Sequence, residues 1–363
     1  MGDEISGNIV LSTNDFKLNS EKEKSFTDVL RMFAPGTSIR SALDDILRAH
    51  MGALIVLEKE GLDLIMEKGF RINSKFSAQK LVELAKMDGA IILSKDGKRI
   101  LYANTLLSPD PAIPTKETGT RHKAAERTAR QLGAIVIAVS ERKKKISIYY
   151  GEERHELEGS SEILRRAAET VQILEKQREM FNDSLLNFNV LEINGLVTIN
   201  DVCEILQRLE IIKRISDIVK RYLVELGKEG MIVSMRLKEL TGGLTRVEEF
   251  ILKDYFDINY TKSANLLSQM SFDFLLETSN ISRILFEELH DKSIFPKGLR
   301  ILSRANLLER HLYSLIDKFK NLGAILSLEN NELLEIFETK ENVEVFLRNL
   351  NSIKDKIAVG KNI

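Results

Sequence analysis

The sequence predicts an N-terminal α/β domain, a mixed β-sheet flanked by helices, followed by an all-α spine and a small all-α terminal domain. Three observations carry this reading. From about residue 27 to 155, helical and strand-like apolar patterns alternate, with hairpin turns between some of them. From 156 to 288 the strand-like runs stop and apolar residues recur at helical spacing. From 289 to 363, short helical segments follow one another.

Taken in order, SIRSALDDILRAH (38–50) has helical periodicity, and GALIVLEKEG (52–61) is a buried strand running into a turn. SAQKLVELAKMDG (77–89) is an amphipathic helix. GAIILSKDGKRILYAN (89–104) is a hairpin with Asp96-Gly97 at its turn. A helix beginning near Thr120 precedes a second strand pair, GAIVIAVS (133–140) and KKISIYYGE (144–152). Residues 160–188 and 197–230 form the spine; Asn200 or Asp201 can cap the second of these, and Gly227 and Gly230 can stop it. The segments GLRILSRA, LERHLYSLIDKFKNLGAIL, NNELLEIFE and NVEVFLRNLNSIKDKI complete the terminal domain. The expected division is a polar extension over 1–26 and domains over 27–155, 156–288 and 289–363.

Composition narrows the function. The 363 residues are 43% hydrophobic and 29% charged, which fits a globular protein of roughly two or three domains. A net charge of −1 gives no global basic field for nucleic acid. The lone cysteine, Cys203, excludes an internal disulfide framework and a CxxC zinc site, and reads as a small buried apolar residue. No run of about 18 apolar residues predicts a membrane span. Met1, Gly2 and Ser6 fit the bare myristoylation pattern, but Asp3 and Glu4 follow and no second anchoring signal is near. A cytoplasmic protein with an unmodified polar extension is expected.

One stretch stands out, ETGTRHKAAERTARQLG (117–133). It reads as a loop entering a helix, with Thr118 or Thr120 as the N-cap and Gly133 at the far end. Arg121, His122 and Lys123 then fall in the first turn, where each cation costs about 0.3–1 kcal/mol against the helix dipole. That arrangement makes sense around a polyanion, because free N–H groups, an Arg fork, a Lys point charge and a His donor would converge on phosphate. Gly119 lets the backbone approach. Two further candidates are MDGAIIL (87–93), whose Asp88 could hold a divalent metal or accept a hydroxyl proton, and SERKKK (140–145) at a strand mouth. As ordinary structure, the three would be a solvated charged face, an Asp-Gly turn and a solvated strand end. No Walker loop, GxGxxG fingerprint, zinc spacing or nucleophile triad is present.

The combination of DGA (88–90) with LLSPDPAIPTKETGTRHKAAERTARQLGAIVIAVSERKKKISIYYG (106–151) resembles the diadenylate cyclase domain family. The helices carrying VTINDVCEILQRLEIIKRI and YLVELGKEGMI resemble the spine of its DNA integrity scanning branch, and the likeness covers nearly the whole chain after about residue 27. The resemblance implies condensation of two ATP into cyclic di-AMP, with Mg2+ or Mn2+, between domains apposed face to face in a homo-octamer. Asp88 is then the catalytic, metal-binding aspartate. Gly89 lies against the nucleotide and Leu107 at the adenine or ribose. Thr120, Arg121, His122, Lys123 and Ala124 form the phosphate-gripping loop, with Ser140 and Arg142 as further phosphate contacts.

The chain departs from the family pattern twice. Lys123 stands where an Arg is usual, which keeps the charge and loses the bidentate fork. The family's terminal domain is helix-hairpin-helix-like and needs a Gly-x-Gly turn to face DNA phosphate. EIFETKENVEVF (335–346) has Glu338 and Lys340 at those places, with Glu341 nearby. The terminal segment holds 12 Lys and Arg against 10 Asp and Glu. Branched DNA is a partner the resemblance implies and this hairpin argues against. The alternative function is a DNA-structure-binding scaffold whose nucleotide pocket senses cyclic di-AMP. A third reading keeps the cyclase and loses the DNA regulation.

Overall fold

The computed structural model describes residues 26–67, 69–256, 260–287 and 291–361. The myristoylation pattern and nearly all of the expected polar extension lie outside them. The chain forms two compact units. One takes the residues up to Ala168 together with Lys220–Ser234; the other takes Glu169–Val219 and Met235–Ile363.

The first unit is built on a mixed sheet. Its strands are β1 (Ala53–Leu57), β2 (Met66–Glu67), β3 (Phe70–Lys75), β4 (Ala90–Leu93), β5 (Arg99–Leu107), β6 (Ile135–Ser140), β7 (Lys145–Tyr150) and β8 (Glu153–Leu157). Their order is β2-β5-β4-β1-β6-β7-β8, with β3 also on β5. Only the β1–β4 pair is parallel among the described ladders. The central strands are apolar throughout because both faces are covered. Ile55, Ile91 and Ile137 pack with Leu43, Ile46 and Leu81 of helices α1 (Ser38–Arg48) and α2 (Ala78–Leu84). Leu54, Val56, Ile92 and Val136 face the other way, onto Ala125 and Ala129 of α3 (Thr120–Leu132). The two alanines let α3 lie close to the sheet.

The expected elements of this unit form. Asp96 and Gly97 make the β4–β5 turn, where the Asp96 carboxylate accepts from Ser94 Oγ at 2.6 Å and Lys98 N at 3.1 Å. β2, β3 and β8 come without a clear sequence signal, being short, largely polar and only partly buried at the edges. Asn73 takes a positive φ of 42° at the β3 bulge, and Arg99 clasps its side chain and carbonyl.

The second unit is helical, and its long elements include parts of α4 (Ser160–Asn194) and α5 (Ile199–Leu226). The start of α5 corrects the expected cap. Thr198, not Asn200 or Asp201, sits at the end, and Asp201 takes the reciprocal place, accepting from Thr198 N at 2.8 Å. Cys203 is fully buried there, and burial pushes its thiol up to about 12, as an inert core residue requires. Near the C-terminus, Leu299, Leu315, Phe337 and Phe346 form a separate core. Asp254, from the helix Leu244–Tyr255, accepts from the backbone N–H groups of Gly298, Leu299 and Arg300 at 2.9, 2.6 and 2.9 Å. Burial and the neighbouring Glu192 charge push its pKa up to about 7. Glu192 itself pairs with Arg300 and accepts from Tyr255 Oη at 2.8 Å. No helix among the described residues is long and apolar enough to cross a membrane.

Candidate active site

The cleft is assembled where strand ends meet the start of α3. Its floor is a row set by sheet register: Leu54 pairs with Ala90, and Ala90 with Thr105, across β1, β4 and β5. Gly89 enters this row with φ of 86°, and a Cβ there would come within 2.9 Å of the Asn104 and Thr105 backbone. Both the turn and the close approach therefore demand glycine. Leu106 and Leu107 extend the apolar wall, and the β6–β7 turn supplies Ser140, Glu141, Arg142 and Lys143. The cleft holds about 720 Å³.

The start of α3 corrects the expected cap. Gly119 is the N-cap, no side chain caps the helix, and the first helical bond runs from Lys123 N to Gly119 O at 2.9 Å. The N–H groups of Thr120, Arg121 and His122 thus precede the intrahelical ladder, as an anion site requires. A threonine cap would have used one of them internally. Gly133 closes the helix with φ of 62°, as its sequence position implies.

The approach loop is pinned to the outer side of the same helix. Glu126 accepts from Thr115 Oγ1 and Lys116 N, and Arg130 pairs with its other oxygen at 3.0 Å. Arg127 and Arg130 donate to the carbonyls of Ile113 and Pro114 at 2.9 and 2.8 Å. Gln131 accepts from Asp110 N at 2.9 Å. At the cleft, Glu117 is taken out of play: Tyr149 Oη donates to it at 2.9 Å and Arg154 Nε lies 2.8 Å away. Burial and Glu117 hold the Tyr149 hydroxyl protonated far above its usual range. Burial also draws the His122 pKa below that of free imidazole. The Glu117 charge opposes this without outweighing burial joined by Lys143, Arg121 and Arg154.

Of the residues singled out by sequence, Gly89, Leu107, Thr120, Arg121, His122, Ala124, Ser140 and Arg142 line one cleft. Lys123 does not, because the rotation that stacks Thr120 over Ala124 carries the intervening Lys123 off that line. Asp88 does not line it either; it is exposed at the rim, beside Gly89. Sequence reasoning missed Thr105, whose hydroxyl is buried without a partner, and the Glu117–Tyr149–Arg154 clasp. It also missed Gly52, whose missing side chain leaves room for the Arg121 guanidinium. Among the described residues no three His, Cys, Asp or Glu side chains gather to hold a metal.

The cleft thus combines a mixed sheet, an uncapped, cation-bearing helix start and an apolar slot. Residues 40–154 match the family described as DisA bacterial checkpoint controller nucleotide-binding, and residues 157–290 match its linker region. The DNA integrity scanning protein DisA of Acetivibrio thermocellus is 42% identical over 328 residues, covering 88% of this chain and 91% of that protein. Its counterpart in Clostridioides difficile is 39% identical over 350 residues, covering 94% and 98%. A solved structure of a DacA double mutant from Staphylococcus aureus covers 41% of this chain and 97% of that one, at 29% identity and a TM-score of 0.30. The chain belongs to the DisA-type diadenylate cyclases, a family of nucleotidyltransferases.

Proposed function

We propose that the protein condenses two ATP into cyclic di-AMP. Each 3′-hydroxyl attacks the α-phosphorus of the opposite nucleotide, the bond to the bridging oxygen breaks, and two pyrophosphates leave. The observation that carries this reading is the uncapped start of α3, with Arg121 and His122, beside the DGA turn. The free N–H groups, Arg121 and His122 grip the triphosphate, Ser140 and Arg142 add contacts from the β6–β7 turn, and Leu107 packs on the adenine or ribose. Gly89 and Ala124 keep the wall thin. Lys123 adds charge from outside the cleft. A ligand hydroxyl or base nitrogen can also satisfy the buried Thr105 hydroxyl.

Asp88 is the catalytic carboxylate, accepting or orienting the 3′-hydroxyl. One carboxylate with substrate phosphates suits Mg2+ or Mn2+, which would neutralise phosphate charge when bound. The exposure of Asp88 supports a site completed by a second copy, because a group that served only the nucleotide of its own cleft would belong inside it. Face-to-face assembly, as a homo-octamer, and the division at residues 27, 156 and 289 are parts of this proposal. So is a weak role for branched DNA. At the hairpin, Glu338 holds a positive φ of 62° and Thr339 Oγ1 already accepts from Asn342 N at 3.3 Å. An incoming phosphate there meets Glu338 and Glu341 and a helix start that caps itself.

The test is incubation of the full chain with ATP and Mg2+ or Mn2+, with product identification. Cyclic di-AMP is expected. Asp88→Asn should abolish it while leaving ATP binding by calorimetry largely intact. No product with either metal from assembled protein would sink the reading.

A further inference from the structure

The second unit contains another cleft, of about 200 Å³, lined by Leu185, Asn189, Gly243, Arg246, Val247, Phe250, Arg300 and Arg304. Nothing in the cyclase reaction uses it. Three of its features point to one kind of ligand.

The first is a helix start. Leu244–Tyr255 is a 12-residue helix whose N-cap, Gly243, has φ of 76° and no capping side chain. No acidic residue occupies its first turn, and the first helical bond runs from Val247 N to Gly243 O. The N–H groups of Leu244, Thr245 and Arg246 precede that bond, so the dipole and the backbone both favour an anion there. The second is charge. Arg246 and Arg304 are exposed and have no carboxylate partner among the described residues. Arg246 instead lies over the Phe250 ring, 5.1 Å from its centroid, which orients the guanidinium without neutralising it. Among the described residues no carboxylate lines the cleft, and the two that touch Arg300, Glu192 and Asp254, are committed to its guanidinium and to the Gly298–Arg300 backbone.

The third feature is independent of both. Two buried polar groups line the cleft with atoms left unpaired. Arg300 is 6% exposed, and its Nε has no partner although its Nη2 is held by Glu192. Asn189 is 1% exposed, and its Oδ1 has none. Buried polar atoms are normally satisfied, and two orphans on residues that line one cavity point to a ligand that satisfies them. An arginine N–H calls for an acceptor. An amide oxygen calls for a donor. A hydrogen phosphate, or a phosphate ester carrying a nearby hydroxyl, offers both.

We propose that this cleft binds a phosphate group, inorganic or terminal on a small molecule. The Arg300 Nε and the Leu244–Arg246 amides contact its oxygens, Asn189 accepts from its protonated oxygen or neighbouring hydroxyl, and Arg246 and Arg304 supply the charge. At about 200 Å³, against 720 Å³ for the first cleft, it takes a phosphate and a few attached atoms.

The test uses full-length protein titrated with inorganic phosphate and then glycerol phosphate, read by 31P line broadening and thermal shift. Phosphate also has a seat at the first cleft, so Arg121→Gln is the control. Binding that survives Arg121→Gln and weakens about tenfold or more in Arg246→Gln/Arg304→Gln is expected. Cyclic di-AMP production should be unchanged in the double variant. Tighter binding of glycerol phosphate would assign the ester, equal binding the free ion. Wild-type-like phosphate binding by the double variant, or no binding beyond what Arg121→Gln removes, overturns the proposal. So does a response of this arginine pair to branched DNA with none to either phosphate.

Discussion

Gly52 offers a test of the proposed ATP site that touches neither nucleotide nor chemistry. A Cβ at residue 52 would lie 2.0 Å from Arg121 Nη1, 2.9 Å from Cζ and 3.3 Å from Nη2. Ordinary contact begins near about 3.5 Å, so the guanidinium must retreat by roughly 1.5 Å. Gly52 is not among the glycines with positive φ, so alanine fits its backbone, and the loss of chain freedom stabilises the fold by about 0.4–1 kcal/mol. The obstacle is the far end of a flexible side chain, so folding should survive. Its displaced hydrogen bonds should not. A charge-assisted contact contributes about 1.5–3 kcal/mol, so Gly52→Ala should weaken ATP binding by roughly 10–100-fold. Calorimetry with ATP, beside Arg121→Ala and thermal melts of all three proteins, reads this directly. If Gly52→Ala binds ATP like the wild type while Arg121→Ala does not, the placement of Arg121 against Gly52 is wrong.

Three other expectations follow from the same geometry. Burial lowers the folded-state pKa of His122, so the unfolded chain takes the proton first as pH falls through about 6.5, and stability is lost below that point. Denaturant titrations of the nucleotide-free protein should show a shallower acid decline in His122→Gln; an unchanged decline would count against it. Glu126→Gln should lower stability by about 1–3 kcal/mol and raise the KM for ATP more than it changes kcat, because the loop over residues 110–117 loses its anchor. An unaltered melt and KM would show the anchor to be idle. Glu338→Gly should raise the melting temperature, since the left-handed conformation costs a non-glycine residue about 1 kcal/mol. A lower melting temperature would contradict that account.

Much of the first unit was legible because its signals are local. Ile55, Ile92 and Val136 sit in short apolar runs bounded by turn residues, the pattern of a sheet buried on both faces. The Asp96-Gly97 turn carries its own chemistry. Arg121 and His122 stood out because they oppose a dipole. What stayed hidden depends on residues far apart in the chain. Nothing near Gly52 announces a guanidinium, and nothing near Tyr149 announces Glu117. The cap at Gly119 was misread because Thr118 and Thr120 flank it and each carries a hydroxyl that could accept a helix N–H, which glycine lacks. Arg246, Arg300 and Arg304 lie among ordinary surface charges in sequence, and only folding gathers them.

The Asp254 clasp bears on where this protein can be cut. Composition places a boundary near residue 289, and a family match stops at 290. Yet the carboxylate that receives three N–H groups lies before that point, and all three donors lie after it. Severing the chain there would strand Asp254 and Glu192 on one fragment and Arg300 on the other, each a buried group without its complement. In this second half, the matched family region and the buried contacts end at different places. Fragments made to study the terminal helices alone should begin before Asp254, and those ending near 289 should be prone to aggregate.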